Sequence, residues 1–428
     1  MGTTRPRVRW TELPSQLWAA VFELSRPEIA DFCNYYEVQE FGDYLQPFYE
    51  LRRVCTTFRQ IFEEHSELYS VLFLARQPNG PDLEAMKNWI QHHGGKIEVF
   101  AAACASPWLE AALTALLISR SAESGLRVAS VALEYMTPSA IPLLGCMTSL
   151  SRCFLEFSSS NHAQNQVSLQ ALENLPNLTS LDLLHAHASQ MRAAKHLTFL
   201  SLDNSTVDCS GQAPFVSTLL DLRIMDSTLT ILSGVAACCS LQSLMCRNGC
   251  VLAATNAEKL DFRSAHAVCM PSGLSGLRAL TCLGLNYNGD EEELHLGCVS
   301  TLRTLRELRI SCRVRRLNFS SGLEMLTNLS SLDIGSTHAD GEMIVQIDWR
   351  KLVALHFLRV SRCVSSGHCF RDIACLKALR SVYLLDLIQS DLATTIEIGM
   401  LRHALGIKRP EVFFQVSKTV RLNVFQHK

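Results

Sequence analysis

The sequence predicts an α/β fold: a curved solenoid of short strand-and-turn units behind a small all-α module. Two stretches and the composition predict it. Leu274, Leu277, Leu280, Leu283 and Leu285 stand at spacings of 3, 3, 3 and 2 residues. Further on, Leu302, Leu305, Leu308 and Ile310 repeat the 3, 3, 2 pattern. A spacing of three suits a tight turn with its apolar side inward, and a spacing of two is a strand with alternate residues buried. One short strand cannot bury its apolar face alone, so a stack of such units is implied. Apolar residues make up 48% of the 428-residue chain and charged residues 19%. A charged share below the usual ~25% suits an array that buries a leucine row in every unit.

Taking the first strand leucine of each unit as a marker, the units fall at Val131, Cys153, Leu181, Leu200, Leu222, Leu244, Leu260, Leu283, Leu308, Leu332, Leu358 and Val382. Their intervals run from 16 to 28 residues. This pattern resembles the leucine-rich repeat, and the array is assigned to residues 126–405. Long intervals leave room for a short helix on the convex side, which makes the expected fold a curved leucine-rich-repeat solenoid. The family pattern places Asn or Cys five residues after the marker. Asn288 and Cys363 match; Ala186, Ser205, Ser227, Gly249, Ala265 and Thr337 are small substitutes, and Arg313 is a misfit.

Residues 1–75 read as a helical module. Pro14 suits a first helical turn. Leu17, Val21 and Leu24 form one stripe at helical spacing, and Trp18 with Phe22 forms a second. Leu51, Val54, Cys55, Phe58, Ile61 and Phe62 mark another amphipathic helix. The module resembles an F-box, on Leu13-Pro14, Leu17, Val21-Phe22, Leu24, Val54-Cys55 and Phe58-Arg59. The family usually carries Trp at the position of Phe58. The resemblance implies that Leu13, Pro14, Leu17, Trp18, Val21, Phe22, Val54, Cys55 and Phe58 bind a Skp adaptor, which connects to a cullin-based ubiquitin ligase. An F-box followed by leucine-rich repeats is a known domain order. One departure is the 26 residues between Leu24 and Leu51, about twice the family's length. The insert, 25–50, carries six acids, one Arg and a run of aromatics, a composition unlike a disordered linker.

Residues 76–125 read as a linker and capping unit. RQPNGP is a chain break. DLEAMKNWIQHH predicts a helix ended by Gly94-Gly95, then a strand at 97–100 and a helix over 109–117. Residues 406–428 predict one or two closing strands, from the alternation of Val412, Phe414 and Val416, or a tail.

The net charge is −2, so no global field favours nucleic acid or an anionic membrane. No apolar run of ~18 residues is uninterrupted, and the first residues carry no secretory signal. Seventeen cysteines follow no disulfide-framework spacing. The expectation is therefore a reduced protein of the cytoplasm or nucleus, without membrane or nucleic-acid partners. There is no P-loop, GxGxxG, HExxH or nucleophile elbow, so no enzyme and no cofactor is expected. Cys363, His368, Cys369 and Cys375 have no common zinc spacing. Cys238 and Cys246 occupy leucine positions and read as core.

The residue between the two buried strand positions should face out on the concave side. These residues are Asp182, Ser201, Arg223, Met245, Asp261, Gly284, Arg309, Asp333, Arg359 and Tyr383, with Phe199 and Phe357 one step earlier. Arginines and aromatics anchor protein interfaces. Arg223, Arg309, Arg359, Phe199, Phe357 and Tyr383 are therefore the expected target contacts. Arg223 and Arg309 are four markers apart, or about 20 Å. Acidic 290–293 and basic 313–316 are expected in neighbouring loops. The expected function is substrate recognition in a Skp–cullin–F-box ubiquitin ligase; the alternative is a non-catalytic repeat scaffold, cytoskeletal or ciliary, without a ligase role.

Overall fold

The computed structural model describes residues 71–74, 80–94, 97–103, 106–119, 128–157, 166–189, 195–209, 217–231, 238, 240–247, 250–253, 259–261, 277–287, 293–319, 322–337, 343–365, 370–385, 401–403 and 413–417. Of the helical module expected over 1–75, residues 71–74 are described and form a strand instead of a helix; the expected adaptor contacts, Leu13 to Phe58, lie outside the described residues. The chain divides into two compact units, residues 1–197 and 198–428.

In the first unit, five parallel strands form one ladder. They are β1 (Val71–Leu74), β2 (Val99–Ala103), β3 (Ser130–Met136), β4 (Arg152–Phe157) and β5 (Ser180–Leu184). Leu72, Phe100, Val131, Cys153 and Leu181 stand in register. Cys153, a cysteine in a leucine row, is 1% exposed. Two helices accompany the first strands, α1 (Gly80–His93) and α2 (Ser106–Ser119). Leu109, Ala112, Leu113 and Leu116 of α2 repeat at i, i+3, i+4 and i+7 and are fully buried, which is why this segment is a helix.

The second unit extends the same logic through nine parallel strands: β6 (Phe199–Asp203), β7 (Asp221–Met225), β8 (Ser243–Arg247), β9 (Cys282–Tyr287), β10 (Glu307–Cys312), β11 (Ser331–Ser336), β12 (Phe357–Ser361), β13 (Ser381–Leu385) and β14 (Phe413–Ser417). Leu200, Leu222, Leu244, Leu283, Leu308, Leu332, Leu358, Val382 and Phe414 are in register. Two residues on, Leu202, Ile224, Cys246, Leu285, Ile310, Ile334, Val360 and Leu384 form a second buried row. The spacing of three is an i to i+3 turn. The N–H of Leu305 donates to Leu302 O at 2.9 Å, and Leu329 to Leu326, Leu355 to Leu352 and Leu379 to Leu376 do the same at 3.0–3.2 Å. Those leucines are at most 2% exposed.

Leu260 is not a marker of this ladder. β8 pairs directly with β9, and Leu260 sits in a short strand, Lys259–Asp261, antiparallel to Cys250–Ala253. Its sequence explains the difference: Ala257 and Ala254 stand where the other units have turn leucines. Arg223 and Arg309 are therefore three strands apart, roughly 15 Å.

The connectors also depart from expectation. Where a short helix was expected, residues 169–174, 297–301, 322–325 and 349–351 are 3-10 turns, while Ile141–Leu144 and Phe370–Ile373 are single α-turns. A 3-10 turn rises faster per residue than an α-helix and spans the gap with fewer residues. Several units add a short second strand after the first. Thr206–Cys209, Thr228–Ile231 and Cys250–Ala253 pair in parallel, as do Glu293–His295, Arg316–Asn318, Met343–Gln346 and Cys363–Ser365. Glu293 thus lies opposite Arg316 in a strand pair and not in a loop.

The turn into that second strand has a recurring backbone device. His185, Asn204, Asp226 and Arg362 each lie four residues past a marker, and each has φ between 44° and 56°; Tyr135 takes the same conformation at the same offset, inside β3 and without a second strand after it. The left-handed conformation is tolerated best by Asn and Asp among these. The next residue is small and buried in three of them: Ala186, Ser205 and Ser227 are at most 2% exposed. The Ser205 N–H donates to Ser227 Oγ at 2.9 Å, and Ser227 Oγ–H donates to Met225 O at 2.6 Å. A serine pair here does what Asn does in the family pattern.

Cysteines serve as small apolar residues in this core. Cys238 and Cys246 are 0% and 3% exposed. Burial holds the Cys153 and Cys209 thiols well above the ordinary value, and Cys312 is pushed up to about 12. Such thiols stay protonated and inert. Cys246→Ser is expected to cost about 1–3 kcal/mol, because it buries a hydroxyl in an apolar row. Urea unfolding checks this; a variant as stable as the parent would remove Cys246 from the core.

Candidate functional site

The outward face of the second unit's ladder collects the expected target residues. Side chains alternate across a strand, so the residue between two buried leucines must face away from the core. Ser201, Arg223, Met245, Gly284, Arg309, Asp333, Arg359 and Tyr383 are in register on consecutive strands. Asp261 is outside this row, because its strand belongs to a different ladder.

Each arginine rests on an acid. Arg223 pairs with Asp221 at 3.3 Å, two residues earlier on the same face, and lies 5.0 Å above the Phe199 ring. Arg309 Nε donates to Glu307 Oε1 at 2.7 Å, again two residues apart. Arg359 pairs across strands with Asp333 at 3.7 Å. The acids sit low and the guanidiniums high. Side-chain exposures are 25%, 30% and 27% for Asp221, Glu307 and Asp333, against 49%, 54% and 48% for their arginines. Exposed pairs of this kind add at most about 1 kcal/mol each. Their effect is on position: each guanidinium is tethered to a carboxylate beside it on the face.

Glu307 is held from its other side too. Cys282 Sγ lies 3.6 Å from Glu307 Oε2. Burial, then the Glu307 charge, raises the Cys282 thiol above its ordinary value, so it remains a protonated donor. Asp333 has its carboxyl raised above the usual range, chiefly by burial, although Arg359 and Arg309 pull it down. Cys282, Glu307, Arg309, Asp333 and Arg359 thus run as one connected strip over β9 to β12. At its end the Phe357 and Tyr383 rings lie 5.4 Å apart, tilted by 40°.

The sequence reading found the arginines and aromatics but missed Asp221, Glu307 and Cys282, which stand one position before each marker. An acid two residues before an arginine on one strand face would have pointed to the first two. Among the described residues, no three His, Cys, Asp or Glu side chains converge as a metal site would require. Cys375 is exposed, and His368 and Cys369 lie outside the described residues. Among the described residues, no helix is long and apolar enough to cross a membrane.

No family model matches the chain, and no curated protein matches it in sequence. Solved structures similar to it include an internalin from Listeria monocytogenes, at 17% identity over 75% of this chain and 88% of that one, with a TM-score of 0.45. Another is the leucine-rich repeat domain of APL1B, at 12% identity over 77% of this chain and 78% of that one, with a TM-score of 0.38. These values are too low to carry an argument. The leucine ladder itself, with its parallel strands and stacked turn leucines, makes this a leucine-rich-repeat fold.

Proposed function

We propose that the chain is a non-catalytic substrate-recognition subunit of a Skp–cullin–F-box ubiquitin ligase in the cytoplasm or nucleus. The repeat face holds a protein target, the F-box-like segment binds the Skp adaptor, and other subunits transfer ubiquitin. The chain's contribution to the reaction is proximity: binding raises the concentration of target lysines near the ubiquitin-carrying enzyme. The observation that carries target binding is the row of half-exposed arginines beside paired aromatics. Such an open face suits a macromolecular partner. The adaptor role rests on the residues around Leu13-Pro14 and Val54-Cys55.

Two arms of one experiment test it on the full chain. Leu13→Ala with Pro14→Ala should lower capture of purified Skp adaptor at least about tenfold, with thermal melting unchanged. Arg223→Ala, Arg309→Ala and Arg359→Ala together should leave stability within about 0.5 kcal/mol but reduce target capture. Equal adaptor capture by the first variant sinks the ligase assignment and leaves a repeat scaffold. Equal target capture by the second moves recognition off this face.

A further inference from the structure

The proposed target surface has a definite chemistry over β9 to β13. We infer that Arg309 and Arg359 together receive a peptide segment carrying two anionic side chains about 10 Å apart, two strand spacings. The inference rests on the face being a protein-binding surface, and it names what that surface reads. A guanidinium has five N–H donors. Arg309 directs Nε and Nη2 at Glu307 Oε1, and Arg359 meets Asp333 only at ion-pair distance. Both side chains remain about half exposed, at 54% and 48%, so donors point outward while the compensating carboxylates lie beneath. The formal charge of the strip is near zero, yet what an approaching partner meets first is guanidinium.

The surroundings fit a peptide. Two residues beyond Arg309, Asp333 and Arg359, the next outward row is Ser311, Gly335 and Ser361, in register. Ser361 Oγ occupies the space above Gly335, where an added Cβ would lie 2.5 Å from it. Gly335 is buried beneath that hydroxyl, so the row beside the guanidiniums carries only small side chains. The Phe357–Tyr383 pair, at 5.4 Å, adds an apolar contact next to Arg359. A nucleic acid fits less well. It needs a run of cations along its backbone, whereas here Glu307 and Asp333 alternate with the arginines.

Two anionic groups reach this separation in two simple ways. On an α-helix, residues seven apart lie on one face about 10 Å apart. In a polyproline helix, residues three apart share a face about 9 Å apart. The probes are fluorescein-labelled peptides in both forms, an alanine-rich helix and a proline-rich one. Each carries one leucine and either two glutamates at those spacings, two phosphoserines, or two glutamines. Binding to the full-length protein is read by fluorescence anisotropy.

In at least one form, the glutamate or phosphoserine peptide should bind at least about tenfold tighter than the glutamine peptide. Arg309→Gln with Arg359→Gln should abolish that preference, and Arg303→Gln, on an exposed turn off this face, should keep it. Glu307→Gln should weaken binding severalfold by releasing Arg309, with no change in melting temperature. Lack of preference over glutamine in both forms overturns the inference, as does equal binding by the double variant. So does a single-stranded oligonucleotide that binds tighter than every peptide and is lost in the same variant. If any of these occurs while the triple arginine variant still loses target, only the anionic chemistry falls. If that variant also captures target normally, the face itself is not the binding surface.

Discussion

Leu308→Ala is expected to cost about 2–5 kcal/mol of unfolding free energy. Leu308 is 0% exposed and stands in register between Leu283 and Leu332, which are also fully buried. Removing its branched end loses transfer free energy and leaves a cavity that stacked neighbours cannot collapse into. In a repeat array each unit contacts only its neighbours, so the loss should concentrate around β9 to β11. Two amides report it. Arg306 N–H donates to Thr281 O at 2.8 Å, and Ser330 N–H donates to Arg306 O at 2.8 Å, both between adjacent units. Their hydrogen exchange should accelerate more than that of amides in β2 or β3. Arg309→Ala, one residue on, removes a half-exposed side chain and should change stability by no more than about 0.5 kcal/mol. A one-residue slip of register would exchange the two faces. Similar costs at 308 and 309 in urea unfolding would therefore mean that the faces are misassigned.

The leucine ladder was legible because its chemistry is local and repeated. Turn leucines three apart and strand leucines two apart leave one way to bury both sets, and Leu274 to Ile310 spells it twice. Cys153 was legible as a marker through its place between Val131 and Leu181, since a thiol packs as a small apolar group. Leu260 misled because an alternating Leu-x-Phe mimics a strand start even when Ala254 and Ala257 offer no turn leucines. The connectors were not legible. Whether a link of this length becomes an α-turn, a 3-10 turn or a second strand depends on packing against the neighbouring unit, which a period in one unit does not encode. The arginines of the candidate site stood out by their position between buried leucines. Asp221 and Glu307 did not, because the position before a marker varies from Phe199 to Ser381 with no common chemistry. Their role emerges only when the strand geometry puts i and i+2 on one face.

Ser227→Ala should cost about 2–4 kcal/mol, a large effect for the loss of one oxygen atom. Ser227 is fully buried, and its hydroxyl serves two backbone groups at once. It accepts the N–H of Ser205 from the previous unit at 2.9 Å and donates to Met225 O at 2.6 Å. Alanine fills nearly the same volume, so packing barely changes. What changes is that the Ser205 N–H, in a residue 2% exposed, loses its acceptor where water does not reach. Its desolvation accounts for about 1–3 kcal/mol, and the lost hydroxyl donor adds roughly one more. The turn also holds Asp226 at φ 48° just before the serine, and the hydroxyl bond back to Met225 O spans that residue. Without it the left-handed turn should open more often. Two measurements separate this from a general loss of stability. Urea unfolding gives the total, and hydrogen exchange at Ser205 should rise well beyond that at Leu222, whose strand pairing is untouched. Equal protection of Ser205 in parent and variant would show that another group satisfies its N–H and that the serine pair does not join these units.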